Sequence, residues 1–105
     1  MASEKEKTRA FQETFELLSK KWTLFILKSF CACNNPMRFS ELEQSIEGIN
    51  ANVLSQRLNE LEEAGLVSRT VKDTKPIQIE YTVTKKAGEL KKVFAELDNW
   101  SQKWS

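Results

Sequence analysis

Between Asn50 and Val83 the hydrophobic period of the chain changes once, and the change falls on Gly65. Before it, in "NANVLSQRLNELEEAG", Ala51, Leu54, Leu58 and Leu61 recur at i, i+3, i+7 and i+10, which places them on one face of a helix directed at a core. After it, "LVSRTVK" and "IQIEYTV" are rich in β-branched and aromatic residues and flank "DTKP", which reads as a hairpin with a polar tip. Asn50 is a suitable N-cap, because its side chain accepts from the open amides of the first turn. Gly65 suits the left-handed residue that ends such a helix, with Leu66 placed to contact Leu61. A chain with this stretch is committed to a helix, a sharp stop and a hairpin.

The upstream sequence completes the pattern. Phe11, Phe15 and Leu18 recur at helical spacing between Thr8 and Lys20, with Trp22 continuing the stripe, and predict an amphipathic first helix. "KWTLFILKSFCA" carries apolar residues on nearly all sides and predicts the central, most buried helix. "MRF" is a candidate short strand. "SELE" from Ser40 to Glu43 matches a capping box and predicts a short third helix that ends near Gly48. Past Thr84, the residues Leu90, Val93, Phe94, Leu97, Trp100 and Trp104 predict one long final helix with an apolar stripe. The predicted class is mainly α with a small β-hairpin wing, as one winged helix-turn-helix domain over residues 1–105. Its helix-turn-helix covers about 39–65, its wing about 66–84, and its dimerisation helices about 8–20 and 85–104.

Two short helices joined by a tight turn and followed by a hairpin are the arrangement in which the second helix enters the DNA major groove. With Leu54, Leu58 and Leu61 inward, Asn52, Gln56 and Asn59 turn outward and Val53, Ser55 and Arg57 flank them. Asn and Gln pair bidentately with adenine, Arg with guanine, and a Val methyl contacts the thymine methyl. Any solvated helix face is also polar, but such a face usually carries Glu and Lys, and here those appear only from Glu60 onward. Lys72, Thr74 and Lys75 near the hairpin tip suit phosphate or minor-groove contact, although a hairpin lysine also serves as edge protection. Arg38 and Ser40 lie at the start of the third helix, whose free amides and dipole favour a phosphate, and Asn50 at the start of the fourth is a further DNA-binding candidate.

Charge alone does not decide the partner, since 16 Lys and Arg stand against 15 Asp and Glu. Its distribution is uneven: residues 1–65 hold eight basic and ten acidic side chains, net −2, whereas residues 66–105 hold eight and five, net +3. A length of 105 residues is small for a fully self-sufficient core, so a partner subunit is expected. Phe11, Phe15, Leu97, Trp100 and Trp104 offer more apolar surface than such a core absorbs and are the expected dimer interface. No apolar run approaches a membrane span, and "MASEKEKTRA" lacks the apolar centre of a signal peptide, so a soluble cytoplasmic protein without membrane contact is expected.

"KKWTLFILKSF", "MRFSELEQSIEGINANVLSQRLNELEEAGLVSR" and "IEYTVTKKAGEL" together resemble the HxlR-type winged-helix transcriptional regulators, relatives of the MarR type. The resemblance runs from about Phe11 to Trp100. It implies a homodimeric, sequence-specific regulator of bacterial or archaeal origin that binds double-stranded DNA at a pseudo-palindromic operator. It also implies that the first and last helices form the dimer and the fourth helix reads the major groove. Many family members carry a Cys-Pro pair before the first helix, which some use to sense oxidants; here Arg9 and Ala10 stand there. The family's frequent "GGKW" is "SKKW", and the turn after the second helix is about two residues longer and holds "CACNNP".

Cys31 and Cys33 therefore carry three readings: buried packing residues, a redox or thiol-reactive pair, or half of a metal site. One intervening residue makes an internal disulfide poor, and a chain without histidine lacks the remaining ligands for a tetrahedral site. No cofactor is expected, and any small-molecule or redox effector is unidentified. The absence of histidine and of a glycine-rich phosphate loop argues against an enzyme. The competing function is a winged helix that docks on another transcription component, which calls for aromatic or Met anchors on the fourth helix where none are found.

Overall fold

The computed structural model describes residues 3–32 and 36–105. Six helices and three strands follow one another: α1 (Glu4–Leu18), α2 (Thr23–Ala32), β1 (Met37–Arg38), α3 (Phe39–Ser45), α4 (Ala51–Glu63), β2 (Val67–Lys72), β3 (Gln78–Val83), α5 (Lys85–Gly88) and α6 (Lys91–Trp104). The antiparallel sheet has the order β1-β3-β2, with Met37 opposite Tyr81 and Val67 opposite Val83.

The α4 helix has the predicted boundaries, set by local chemistry. Asn50 is extended, and its Oδ1 accepts from the Val53 amide at 2.8 Å. At the other end Gly65 has φ +77°. The Leu66 amide donates to the Leu61 carbonyl at 2.9 Å and the Gly65 amide to the Glu62 carbonyl at 3.0 Å, a Schellman closure. Leu61 and Leu66 both join the core. The junction is then tied to the far end of the hairpin. Thr84 Oγ1 donates to the Gly65 carbonyl at 2.6 Å, and Lys86 Nζ to the Ala64 carbonyl at 2.9 Å.

The core gathers Ile26, Leu27 and Phe30 of α2, Leu42 of α3, Leu54, Leu58 and Leu61 of α4, and Phe94 of α6. Several expectations need correction. Ala51 is exposed, because the first residue of α4 precedes the point where the helix meets the core. Trp22 does not extend α1: it is a turn residue at φ +82°, and α1 instead begins earlier, at Glu4, behind a Ser3–Glu6 capping box. The central helix is buried on one side only, since Leu24 and Phe25 are exposed. The α3 cap is shifted by two residues from the "SELE" frame. Arg38 is held extended by its bridge to Glu80, so the chain enters the helix at Phe39, and Glu41 accepts the Arg38 amide at 2.8 Å. The final helix is two helices, broken around Glu89 and Leu90.

Leu58→Ala is expected to cost about 2–5 kcal/mol through an unfilled cavity. Gly65→Ala is expected to cost about 1–2 kcal/mol from backbone conformation, since an added Cβ meets no atom within 4 Å. Urea midpoints at unchanged m-value check both.

Candidate nucleic-acid interface

Burying Leu54, Leu58 and Leu61 fixes what α4 presents to solvent. Asn52, Ser55, Gln56 and Asn59 are all exposed, at spacings of three and four residues that make one continuous stripe. Val53 is half-buried beside it. Asn50 is exposed but already committed as the helix cap. The stripe is uncharged, and the exposed acids Glu62 and Glu63 lie at the opposite end of the helix.

Arg57 departs from the expected reading face. It is half-buried, its Nε donates to the Lys21 carbonyl at 2.9 Å, and its terminal nitrogen lies 3.3 Å from Glu60 Oε1. Glu60 also pairs with Lys20 Nζ at 3.0 Å. Burial by itself raises the Glu60 carboxyl, but the Lys20 ammonium and the Arg57 guanidinium outweigh it and hold the group below its ordinary value. With Nε and one terminal nitrogen engaged inside the fold, the guanidinium is not freely presented on the solvent face beside Gln56. The acceptor is a backbone carbonyl, which has no sequence signature; only the Arg57–Glu60 spacing of three residues hinted at the pair.

The other candidates cluster at the wing and its base. Arg38 on β1 reaches Gln78 on β3, 3.1 Å from its amide oxygen, and Lys72 on β2 pairs with Glu80 on β3 at 2.9 Å. At the tip, Thr74 Oγ1 donates to the Pro76 carbonyl at 2.7 Å. Lys75 is exposed with no ion-pair partner among the described residues. Ser40 is exposed on the first turn of α3, where the Glu41 carboxylate already takes the cap position. The wing also exposes Val71 and Ile77.

The expected dimer residues are all exposed, on α1 and α6. The α1 helix buries no residue over its whole length. Phe11 and Phe15, 63% and 60% exposed, pack with their rings tilted and centroids 4.8 Å apart, while Leu97, Trp100 and Trp104 of α6 are 50%, 62% and 68% exposed. An apolar hollow of about 240 Å³ lies between Phe15, Leu18, Leu24, Val93 and Leu97. Cys31 is a half-buried free thiol, pushed up by burial and only partly lowered by the Lys91 ammonium, which reduces its thiolate fraction. Cys33 and the "NN" that follows it lie outside the described residues. Among the described residues no group of three or more acids and thiols is placed to hold a metal, and no helix is long and apolar enough to cross a membrane.

Comparison with known proteins agrees with this geometry. The model of the HxlR-like helix-turn-helix matches residues 17–105. The regulator YvaP of Bacillus subtilis is 37% identical over 94 residues, covering 90% of this chain and 85% of its own. The transcriptional regulator YodB of the same organism is 33% identical over 93 residues, covering 89% and 81%. The solved structure of reduced YodB superposes with a TM-score of 0.77 over 99% of this chain and 95% of its own at 32% identity, and YodB has also been solved diamide-treated and quinone-bound. A MarR-family regulator from Enterococcus faecalis superposes at a TM-score of 0.81 and 27% identity, over 98% of this chain and 92% of its own.

The Glu60 network makes stability depend on pH. Its folded carboxyl is depressed, so its contribution is complete above the unfolded pKa of about 4.3 and is lost as the pH falls through the lower folded value. The stability difference between the wild type and Glu60→Gln is expected to be largest at neutral pH and to shrink on acidification through that window, as urea unfolding at several pH values will test.

Proposed function

The chain belongs to the HxlR-like helix-turn-helix family of DNA-binding transcriptional regulators, and from that premise we propose that it acts as a homodimer on a pseudo-palindromic operator. The observation that carries the DNA-reading half is the uncharged stripe of Asn52, Ser55, Gln56 and Asn59 on α4. Its amides and hydroxyl offer donors and acceptors to base edges in the major groove, with Val53 beside them for a thymine methyl. Lys75 and Thr74 at the wing tip, Lys72 and Arg38 at its base, and Ser40 and Asn50 at the two helix starts then set the register against the phosphates. Arg57 is left out of this list, because its Nε and one terminal nitrogen are engaged within the fold.

The dimer reading rests on α1. A 15-residue helix with no buried residue is marginal in water by itself, and its exposed Phe11 and Phe15 have chemical counterparts in Leu97, Trp100 and Trp104. Pairing these helices across a twofold axis presents two α4 helices about one turn of DNA apart. The diamide-treated and quinone-bound forms of YodB support a redox or small-molecule effector here too. The raised Cys31 thiol would make it a slow reactant in such a role. A cytoplasmic location fits this function.

Selection of bound duplexes from a random library is expected to enrich an inverted repeat with half-sites about 10 base pairs apart; enrichment of no sequence would defeat the reading. Gln56→Ala is expected to lose about 1–3 kcal/mol of discrimination at particular base pairs. Lys75→Ala is expected to weaken binding equally on all sequences and to flatten its salt dependence, as titrations at two salt concentrations will measure. Trp100→Lys is expected to shift the protein to monomer in sedimentation equilibrium and to lower operator affinity.

A further inference from the structure

One Arg57 donor, Nε, is spent on the turn between α1 and α2, and a terminal nitrogen faces Glu60 on its own helix. We propose that Arg57 and Glu60 are positioning residues for the base reading described above, on which this inference rests: they lock the setting of α4 to the α1–α2 turn, and through it to the proposed dimer helix. The reading helix then takes its orientation from α1 as well as from the core beneath it.

The turn is built to receive such a lock. Its last residue, Trp22, has φ +82°, a conformation costly for a bulky side chain that persists only where the surroundings over-determine it. The surroundings do so from several sides. The Lys20 carbonyl accepts from the Thr23 amide at 3.2 Å, and the Trp22 carbonyl accepts from the Ile26 amide at 3.0 Å, which starts α2. The Trp22 ring also covers Gly48, where a Cβ would lie 3.5 Å from it, at the connection from α3 to α4. The Lys21 carbonyl between them is the group that Arg57 Nε holds at 2.9 Å.

Glu60 closes the arrangement by bridging Arg57 to Lys20, 3.0 Å away on the same turn. A planar guanidinium fixes direction as well as distance, which a lysine at the same position does not. Both anchors lie on one turn of α4, half-buried, on the flank between the exposed stripe and the core. A displacement of α1 relative to the core therefore pulls on the helix whose outer face reads bases.

The test compares sites selected from a random library by the full chain with those selected by Arg57→Lys and by Glu60→Gln, each first checked for folding by circular dichroism and urea. The expected result is that both variants enrich the same half-site bases as the wild type but at a widened range of half-site spacings. Affinity for the wild-type duplex is expected to fall about tenfold, the scale of one charge-assisted hydrogen bond, and to fall more than affinity for scrambled DNA. Loss of preference at a single base pair with unchanged spacing would make Arg57 a base reader and overturn the proposal. Lower stability with unchanged bases, spacing and affinity would reduce the pair to a packing role and overturn it equally. Failure of the wild type to enrich any sequence would instead defeat the DNA-reading premise, and is seen before any variant is compared.

Discussion

The burial of Leu54, Leu58 and Leu61 is the constraint from which the rest of the structure follows. These three side chains, together with the Gly65 stop, fix the rotation of α4 about its axis and the place where the chain leaves it. A helix with one face wholly inside has no freedom to choose its outer face, so Asn52, Ser55, Gln56 and Asn59 face solvent as a consequence of core packing. The same stop fixes the wing. Because Leu66 and Val67 are buried immediately after Gly65, β2 starts against the core. Thr84 and Lys86 then bind the carbonyls at the end of α4, so both ends of the hairpin are referred to that helix.

What was legible in the sequence was what local chemistry decides. The Asn50 cap, the Gly65 closure and the hairpin flanking "DTKP" each depend on residues within a few positions of one another, and all three lie where the pattern put them. What was not legible depends on distant partners. Ala51 fits the apolar period but precedes the packed part of the helix. "SELE" satisfies the capping-box pattern, yet pairing of Arg38 with Glu80, 42 positions away in sequence, moves the helix start to Phe39. Trp22 carries on the stripe of α1 at the right spacing, but the chain turns there to set α2 against α1, and Trp22 takes a positive φ in that turn.

Arg57 is the instructive case within the candidate site. By type and spacing it suits guanine, and its position on the flank of α4 permits either role. Exposure separates it from its neighbours: Gln56 stands in solvent, whereas the guanidinium of Arg57 is drawn to a backbone carbonyl and a carboxylate that hold it with directional bonds. A donor desolvated and satisfied within the protein loses those bonds if it turns to a base, so the exchange gains little, while the uncharged amides of the stripe break no such network on contact.

The charge arrangement then sets the balance between affinity and specificity. A net charge of +1 gives the chain little general attraction to DNA. Some cations already have acidic partners within the fold: Lys72 pairs with Glu80, while Lys20 and Arg57 share the single carboxylate of Glu60. Under the proposed function, each cation paired in this way releases fewer counterions on DNA, which raises the share carried by contacts to base edges. Weak attraction per protomer also makes joining two protomers consequential, because two modest half-site contacts held at a fixed spacing multiply. A fold that commits Arg57 and Glu60 to the setting of α4, and leaves an aromatic face exposed, depends under the proposed function on geometry more than on charge to find its site.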